Sequence, residues 1–563
     1  MNAEPSASPT LPKCTGRGAT ESGISAASPS PHAPQEGSGE GPTFLPYGGT
    51  PQPAGQPLLL SAFGVYASFL LLVLGIILRL ASFLTFRSMW TDEALLALNI
   101  TRRSFRQLLG PLDWYQVAPV AFLWIERLAF RILGNADWVL RLLPLAASLA
   151  GLWLFRAIAR RKLSNQGMLI GLALFALCSP LVYYAAEIKQ YGCDATITLL
   201  LLWAALHWIE QPRPDRYGIL AATGAIGLWC SQPAVFILGG LGLTMLMELR
   251  RRKWQGLGMA IGLFTCWFAS FLGVYLVSLR PIVNQNYLHD FWAGGFAPSP
   301  VSLNGIKWYP AAFFGMFSST LGLPFAGFAA ALAAVGCWSL YRRDRSLLAM
   351  LAMPLVLALV TSALKRYPFQ ERLLLFAAPL LILLIAAGFA AVVGIAKGPR
   401  IASVPVLPAL LALCVLAFPL RDGAYWLWAF PHQQIDWPRR EEIKPILAYL
   451  QHHYLPGDRV YVYKYGGAPI AYYTAHYGLS DLNINYLPDV GPDDARIQAS
   501  LATMKGARVW IILDHVYHFN QRQDLQMQYL DNLKKLARKL PDADFSSQGA
   551  CILLFDFTTK IRS

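Results

Sequence analysis

Acid is scarce in this sequence: 32 Asp and Glu stand against 47 Lys and Arg, and charged residues make up only 14% of 563 positions. Cysteine is scarce too. Most of the eight lie inside apolar runs (Cys178, Cys230, Cys266, Cys337, Cys414), which leaves no disulfide framework to organise the chain. Histidine offers no convincing ligand set. Asp514-His515 with His518 is the one suggestive grouping, and without further partners it reads as polar surface. So little charge beside 55% hydrophobic residues leaves small room for an ordinary water-soluble chain.

What the chain has instead is one long apolar run after another, the composition of a polytopic membrane protein. The fold class expected is a mainly α membrane helical bundle of about 11 spans, with outer interfacial helices and a small carboxyl-terminal α/β domain. The spans are expected near 57–86, 136–156, 167–183, 188–210, 216–230, 233–249, 256–280, 309–340, 346–363, 372–396 and 402–420. The formal net charge of +15 would suggest nucleic acid in a soluble domain, but here the bases cluster between apolar runs. Arg156/Arg160/Arg161/Lys162, Arg213/Arg216, Arg250 to Lys253, Arg342/Arg343/Arg345 and Lys397/Arg400 mark every second connection as cytoplasmic, so no nucleic-acid partner is called for.

The segment 115–134 would break that alternation if it crossed, and it carries Glu126, Arg127 and Arg131, which are costly at mid-bilayer. It is therefore read as an interfacial helix on the outer surface, with the amino terminus inside. Residues 1–56, crowded with Pro, Gly, Ser and Ala, read as a disordered tail without a signal-peptide pattern. Residues 57–420 form the transmembrane domain. Residues 436–563 form the outer α/β domain, with strands near 459–465, 508–513 and 551–557, helices near 468–477, 493–505 and 521–540, and a final hairpin.

Against this background Ser88-Met89-Trp90-Thr91-Asp92-Glu93-Ala94 stands out, with two adjacent acids just past the first apolar run. One reading is helix capping, with Thr91 or Asp92 as N-cap and Glu93 in the first turn. The other is chemistry. Neighbouring helical residues diverge by about 100 degrees, so one carboxylate can face a reacting atom while the other supports it. Two further outer loops, Glu187-Ile188-Lys189-Gln190-Tyr191 and Lys365-Arg366-Tyr367-Pro368-Phe369-Gln370-Glu371-Arg372, supply bases suited either to a lipid phosphate or to interfacial anchoring.

The order of these motifs resembles the GT-C superfamily of membrane glycosyltransferases. More narrowly, it is similar to the branch containing protein O-mannosyltransferases and aminoarabinose transferases. The resemblance runs over roughly residues 60–400. It rests on the outer Trp-Thr-Asp-Glu-Ala, on Ala118-Pro119 leading an aromatic helix to Gly134, on Asp137 to Ser148 with Arg141-Leu142, and on 367–379 (Tyr-Pro-Phe-Gln-Glu-Arg-Leu-Leu-Leu-Phe-Ala-Ala-Pro).

The resemblance implies transfer of a hexose or pentose from a polyprenyl-phosphate carrier to an acceptor hydroxyl, inverting the anomeric centre. The acceptor would be a glycan, a lipid or a protein, and the setting the outer face of a bacterial inner membrane. Asp92 matches the family's catalytic base, with Glu93 beside it. Lys189, Arg366 and Arg372 are expected to hold the donor phosphate, and Glu187, Tyr191 and Tyr367 to complete the donor and acceptor site. Where many relatives have Arg-x-Tyr, this chain has Lys189-Gln190-Tyr191. Relatives differ over a divalent cation. If Mg or Mn takes part, Asp92, Glu93 and Glu187 are its expected oxygen ligands. The competing class is a transporter or flippase of a lipid-linked glycan, which would place ionisable residues inside its spans near the midplane.

Overall fold

The computed structural model describes residues 58–280, 286–395, 400–401, 404–432, 441–463, 466–482, 484–487, 495–514, 530, 532–540 and 544–558. The tail read at 1–56, His515, His518 and part of the helix expected at 521–540 lie outside the described residues.

The first apolar run forms α1 (Leu58–Leu84), which packs on α4 (Leu142–Lys162) and α5 (Asn165–Leu177). Between α1 and α4 the chain makes α2 (Thr91–Arg102) and α3 (Val120–Leu133). Helix α3 has 14 residues and spans about 21 Å, too short to cross a bilayer. It buries Val120, Phe122, Leu123 and Glu126 and leaves Ile125, Leu128 and Ile132 exposed, as an interfacial helix would.

After α5 the chain bends by 50° into α6 (Ser179–Tyr183), with Pro180 in its first turn. A 3₁₀ turn, Tyr184–Ala186, then delivers the Glu187 to Gln190 loop to the head of α7 (Tyr191–Glu210). There follow α8 (Pro214–Cys230), α9 (Ala234–Arg251) and α10 (Leu257–Val274), the last continuing as a π-helical turn. Next come α11 (Asn286–Phe291), α12 (Leu303–Ser318), α13 (Ala326–Arg343), α14 (Arg345–Ala363), α15 (Ala378–Ile395) and α16 (Val406–His432).

Helix α15 is the buried axis of the bundle. It crosses α13 where Gly336 meets Gly388, and a Cβ on either residue would run into the other helix's backbone. Small residues let helix backbones approach this closely where no water is present to drive association.

Among the described residues, seven helical segments are long and apolar enough to cross a membrane, or eight with the bent α5–α6 pair. This is fewer than the eleven expected. The single span expected at 309–340 is two helices, α12 with Pro310 inside it and α13, broken around Gly322 at φ +68°. Helix α8 has only 17 residues, and α9 ends in Glu248, Arg250 and Arg251.

The carboxyl-terminal segment forms a mixed sheet of order β4-β3-β5-β8-β6 with β7 also on β8. Its strands are β3 (Arg459–Tyr463), β4 (Ile484–Leu487), β5 (Arg508–Asp514), β6 (Arg538–Lys539), β7 (Phe545–Ser547) and β8 (Ala550–Asp556); two short strands, β1 (Arg400–Ile401) and β2 (Val404–Pro405), pair by themselves after α15. Strand β3 runs parallel to β4 and β5; β8, the strand expected at 551–557, pairs antiparallel with β5 and makes its hairpin with β7, which was not expected as a strand. The stretch expected to be helical as far as 540 ends in strand β6.

Alternate residues face opposite ways along a strand. Tyr461, Val509, Ile511 and Phe555 therefore join α19 (Ala495–Met504) in one core. Val460, Val462, Trp510, Ile512 and Leu554 face α17 (Ile443–His453) and α18 (Gly467–Tyr473), in a second core that also takes in Leu96 and Ile100 of α2 and Phe122 of α3. The sheet module and helices α2 and α3 thus share one apolar interior.

Candidate active site

Helix α2 begins one residue earlier than the capping reading expected: Trp90 is the N-cap, Thr91, Asp92 and Glu93 being the first three helical residues. The Trp90 N–H donates to Glu93 Oε2 at 3.4 Å, half of a capping box. Glu93 Oε1 accepts from the Ile188 N–H at 2.9 Å and pairs with Arg141 at 3.4 Å, and neither side chain is more than 1% exposed. The Glu93 carboxylate thus ties together α2, the 187–190 loop and the start of α4. Asp92, about 100 degrees around the helix, points elsewhere.

The Asp92 carboxylate is 25% exposed and meets two cations from distant parts of the chain. Arg372 Nη2 lies 2.7 Å from Oδ2, and Lys189 Nζ lies 3.9 Å from Oδ1. Lys189 Nζ also donates to Gln116 Oε1 at 2.7 Å, so Gln116 fixes the ammonium beside the acid. Burial pushes the Asp92 carboxyl up, but the Lys189 and Arg372 charges outweigh it and hold the group below the ordinary carboxylate range. Burial lowers the Lys189 ammonium, which Arg372 lowers further and Asp92 raises; the outcome is below the ordinary lysine value.

Arg372 stands in an aromatic cage, with the rings of Trp90, Tyr191 and Trp292 at 5.6 to 5.7 Å from its guanidinium carbon. It is the second residue of the 3₁₀ stretch Glu371–Ala377 that leads into α15. Glu371 there adopts φ +45°, a conformation a non-glycine residue takes only at a cost.

Six of the residues singled out from sequence, Asp92, Glu93, Glu187, Lys189, Tyr191 and Arg372, therefore gather at one place. Glu187 is buried in the loop whose next residues carry Lys189. Two do not join them. The turn at Lys365, φ +57°, leaves the Arg366 side chain exposed. Tyr367 turns its ring edge to Phe236 and donates its hydroxyl to the Leu373 carbonyl at 2.8 Å, so it braces the 3₁₀ stretch from the bundle side.

The cation-ligand set expected from Asp92, Glu93 and Glu187 is not formed. Glu93 is committed to Arg141 and two backbone donors, and among the described residues no three His, Cys, Asp or Glu side chains cluster so as to hold a metal ion. The sequence reading missed Gln116 and Trp292. Gln116 sits two residues before the Ala118-Pro119 motif, and Trp292 lies in the connection between the spans expected at 256–280 and 309–340; neither had a signal of its own.

No curated protein sequence matches the chain. The family model described as dolichyl-phosphate-mannose-protein mannosyltransferase matches residues 117–273. The structure of ArnT from Cupriavidus metallidurans bound to undecaprenyl phosphate is similar at a TM-score of 0.50 and 14% identity, covering 88% of this chain and 98% of that one. The apo structure of the same protein gives 0.51 at the same identity and coverage. At that identity the likeness speaks for architecture alone: residues 117–273 match the mannosyltransferase family model, and the chain is a polytopic membrane protein with a fold like that of ArnT.

Proposed function

We propose that this protein is a membrane glycosyltransferase that moves a sugar from a polyprenyl-phosphate carrier to an acceptor hydroxyl, with Asp92 as general base. The observation that carries the reading is the partly open Asp92 carboxylate, paired with Arg372 and Lys189 beside the bundle. The mannosyltransferase family match over residues 117–273 and the undecaprenyl phosphate bound to ArnT support a polyprenyl-phosphate donor. The basic clusters between spans support an amino terminus in the cytoplasm, and a site and carboxyl-terminal domain on the outer face.

The chemistry follows from the pairing. A glycosyl phosphate already carries a good leaving group, so the reaction needs one base for the acceptor proton and cations for the phosphate as its charge grows. A base held below the ordinary carboxylate range is weakened. When the donor phosphate takes over Arg372 and Lys189, Asp92 loses the charges that depress its basicity. Donor binding then both positions the leaving group and readies the base. The acceptor hydroxyl attacks the anomeric carbon as its proton passes to Asp92. The bond to the phosphate oxygen breaks on the opposite face, and the phosphate departs on its lipid with inverted stereochemistry at the sugar.

The test uses vesicles containing the purified protein and labelled undecaprenyl-phosphate monosaccharides of the neutral hexose, amino sugar and pentose classes. Wild-type protein transfers label from one class to an acceptor or to water, and Asp92→Asn does not, although it inserts and folds. Full activity of Asp92→Asn would remove Asp92 as the base.

A further inference from the structure

The sequence motif that heads the site does not stand on the membrane bundle alone. Segment 86–90, which leads into α2, is held from above by three side chains of the carboxyl-terminal module. Both Glu442 carboxylate oxygens accept from the Ser88 N–H at 3.1 Å, and Ser88 Oγ donates to Oε2 at 2.8 Å. The Lys444 N–H donates back to Ser88 Oγ at 3.1 Å, and Lys444 Nζ donates to the Phe86 carbonyl at 2.8 Å. The Met89 N–H donates to the Tyr473 hydroxyl at 3.0 Å, and that hydroxyl donates to Asp137 Oδ2 at 3.0 Å. Asp137 also pairs with Lys444. From the bundle side Arg141, the partner of Glu93, donates to the Arg87 carbonyl at 2.9 Å.

Adhesion alone does not call for this arrangement. The module already shares an apolar core with α2 and α3, in which Ile470 and Tyr472 lie with Leu96 and Phe122. Apolar contact is non-directional and tolerates sliding, whereas hydrogen bonds to named backbone N–H groups fix a register. The Ser88 and Met89 N–H groups precede the helix, so its own ladder cannot satisfy them. Both residues are buried, where an unpaired N–H would be costly. Three residues further on is Asp92, whose 2.7 Å contact with Arg372 leaves no slack.

Resting on the proposed function, we infer that Glu442, Lys444 and Tyr473 form a clamp by which the carboxyl-terminal module sets the position of Asp92. The three are positioning residues, since none touches the reacting groups. The module is in this sense part of the catalytic apparatus. Removing one clamp bond loosens segment 86–90 and moves the base away from its attack geometry while leaving the phosphate-binding cations in place.

The experiment compares Tyr473→Phe, Glu442→Ala and Glu442→Gln in the full-length protein. Hydrogen exchange of the Ser88 and Met89 amides reports the clamp directly. Tyr473→Phe frees the Met89 amide and Glu442→Ala the Ser88 amide, each exchanging at least about tenfold faster, while Glu442→Gln keeps an acceptor and partly restores protection. In the vesicle assay the donor KM stays within about twofold and kcat falls about 10- to 100-fold, the scale of a misplaced reacting group. Binding of undecaprenyl phosphate by Tyr473→Phe checks that the variant is folded.

Unchanged exchange in both Tyr473→Phe and Glu442→Ala would overturn the clamp. Faster exchange with unchanged kcat would overturn its positioning role and leave Asp92 as the base. Retained transfer by Asp92→Asn, in contrast, would overturn the functional reading on which the clamp's purpose depends.

Discussion

Arg372 Nη2 lies 2.7 Å from Asp92 Oδ2, joining the first turn of α2 to the 3₁₀ stretch at the head of α15, with Trp90, Tyr191 and Trp292 around the guanidinium. Without substrate the proposed base is therefore paired with the proposed phosphate ligand. Each is occupied by the other until a donor arrives.

Asp92→Asn is expected to separate binding from chemistry. Transfer is lost, while undecaprenyl phosphate binds at least as tightly as to wild type, because Arg372 and Lys189 no longer have a carboxylate to leave. Native mass spectrometry or a thermal-shift titration with undecaprenyl phosphate reads the second half. Weaker binding by Asp92→Asn would count against competition between acid and phosphate.

Arg372→Ala should act on the carrier. A truncated charge-assisted hydrogen bond costs roughly 1.5–3 kcal/mol, which corresponds to undecaprenyl phosphate binding about 10- to 100-fold weaker. Arg372→Lys restores charge but not the planar stacking in the aromatic cage, so it recovers only part of that loss. Unchanged carrier affinity in Arg372→Ala would reassign the phosphate site.

Infrared spectroscopy can follow the carboxyl groups as pH is changed. Lys189 and Arg372 depress the Asp92 carboxyl, so its protonated C=O band appears only on going below the ordinary carboxylate range. Lys189→Met removes one depressing charge and moves that band to higher pH. Glu126 behaves in the opposite sense, because burial raises it well above the ordinary value. Its C=O band persists to higher pH than that of an ordinary carboxyl group and disappears in Glu126→Gln.

Arg141→Met tests the division of labour between the two acids. It strands Glu93 with an uncompensated buried charge, a loss of roughly 3–5 kcal/mol, so the melting temperature in detergent falls markedly. Arg141→Met paired with Glu93→Gln should recover much of that stability. A stable Arg141→Met single variant would show that Glu93 is not held as described.

Orientation has a separate test. Gln166 is exposed in the first turn of α5, beside the basic end of α4. A cysteine placed there should react with an impermeant maleimide only from the cytoplasmic side, and labelling from outside would invert the proposed topology.

The sequence by itself determined the helical bundle, the shortness of α3, the acidic pair and the basic loops, because each is written in a local pattern. Apolar run length, charge between runs and two acids on successive residues need no knowledge of what lies opposite. The 309–340 break was not read, although Ser318-Ser319-Thr320, Gly322 and Pro324 interrupt the apolar run, because no charged residue falls inside it. Only the tertiary structure could decide that Glu93 serves Arg141 while Asp92 faces Arg372, that Arg366 stays outside, and that Gln116, Trp292, Glu442 and Tyr473 support the site. Those facts depend on residues brought together from distant parts of the chain by the packing of α2, α7 and α15 and by the sheet module, and a contact across such distances leaves no periodicity in either partner's neighbourhood.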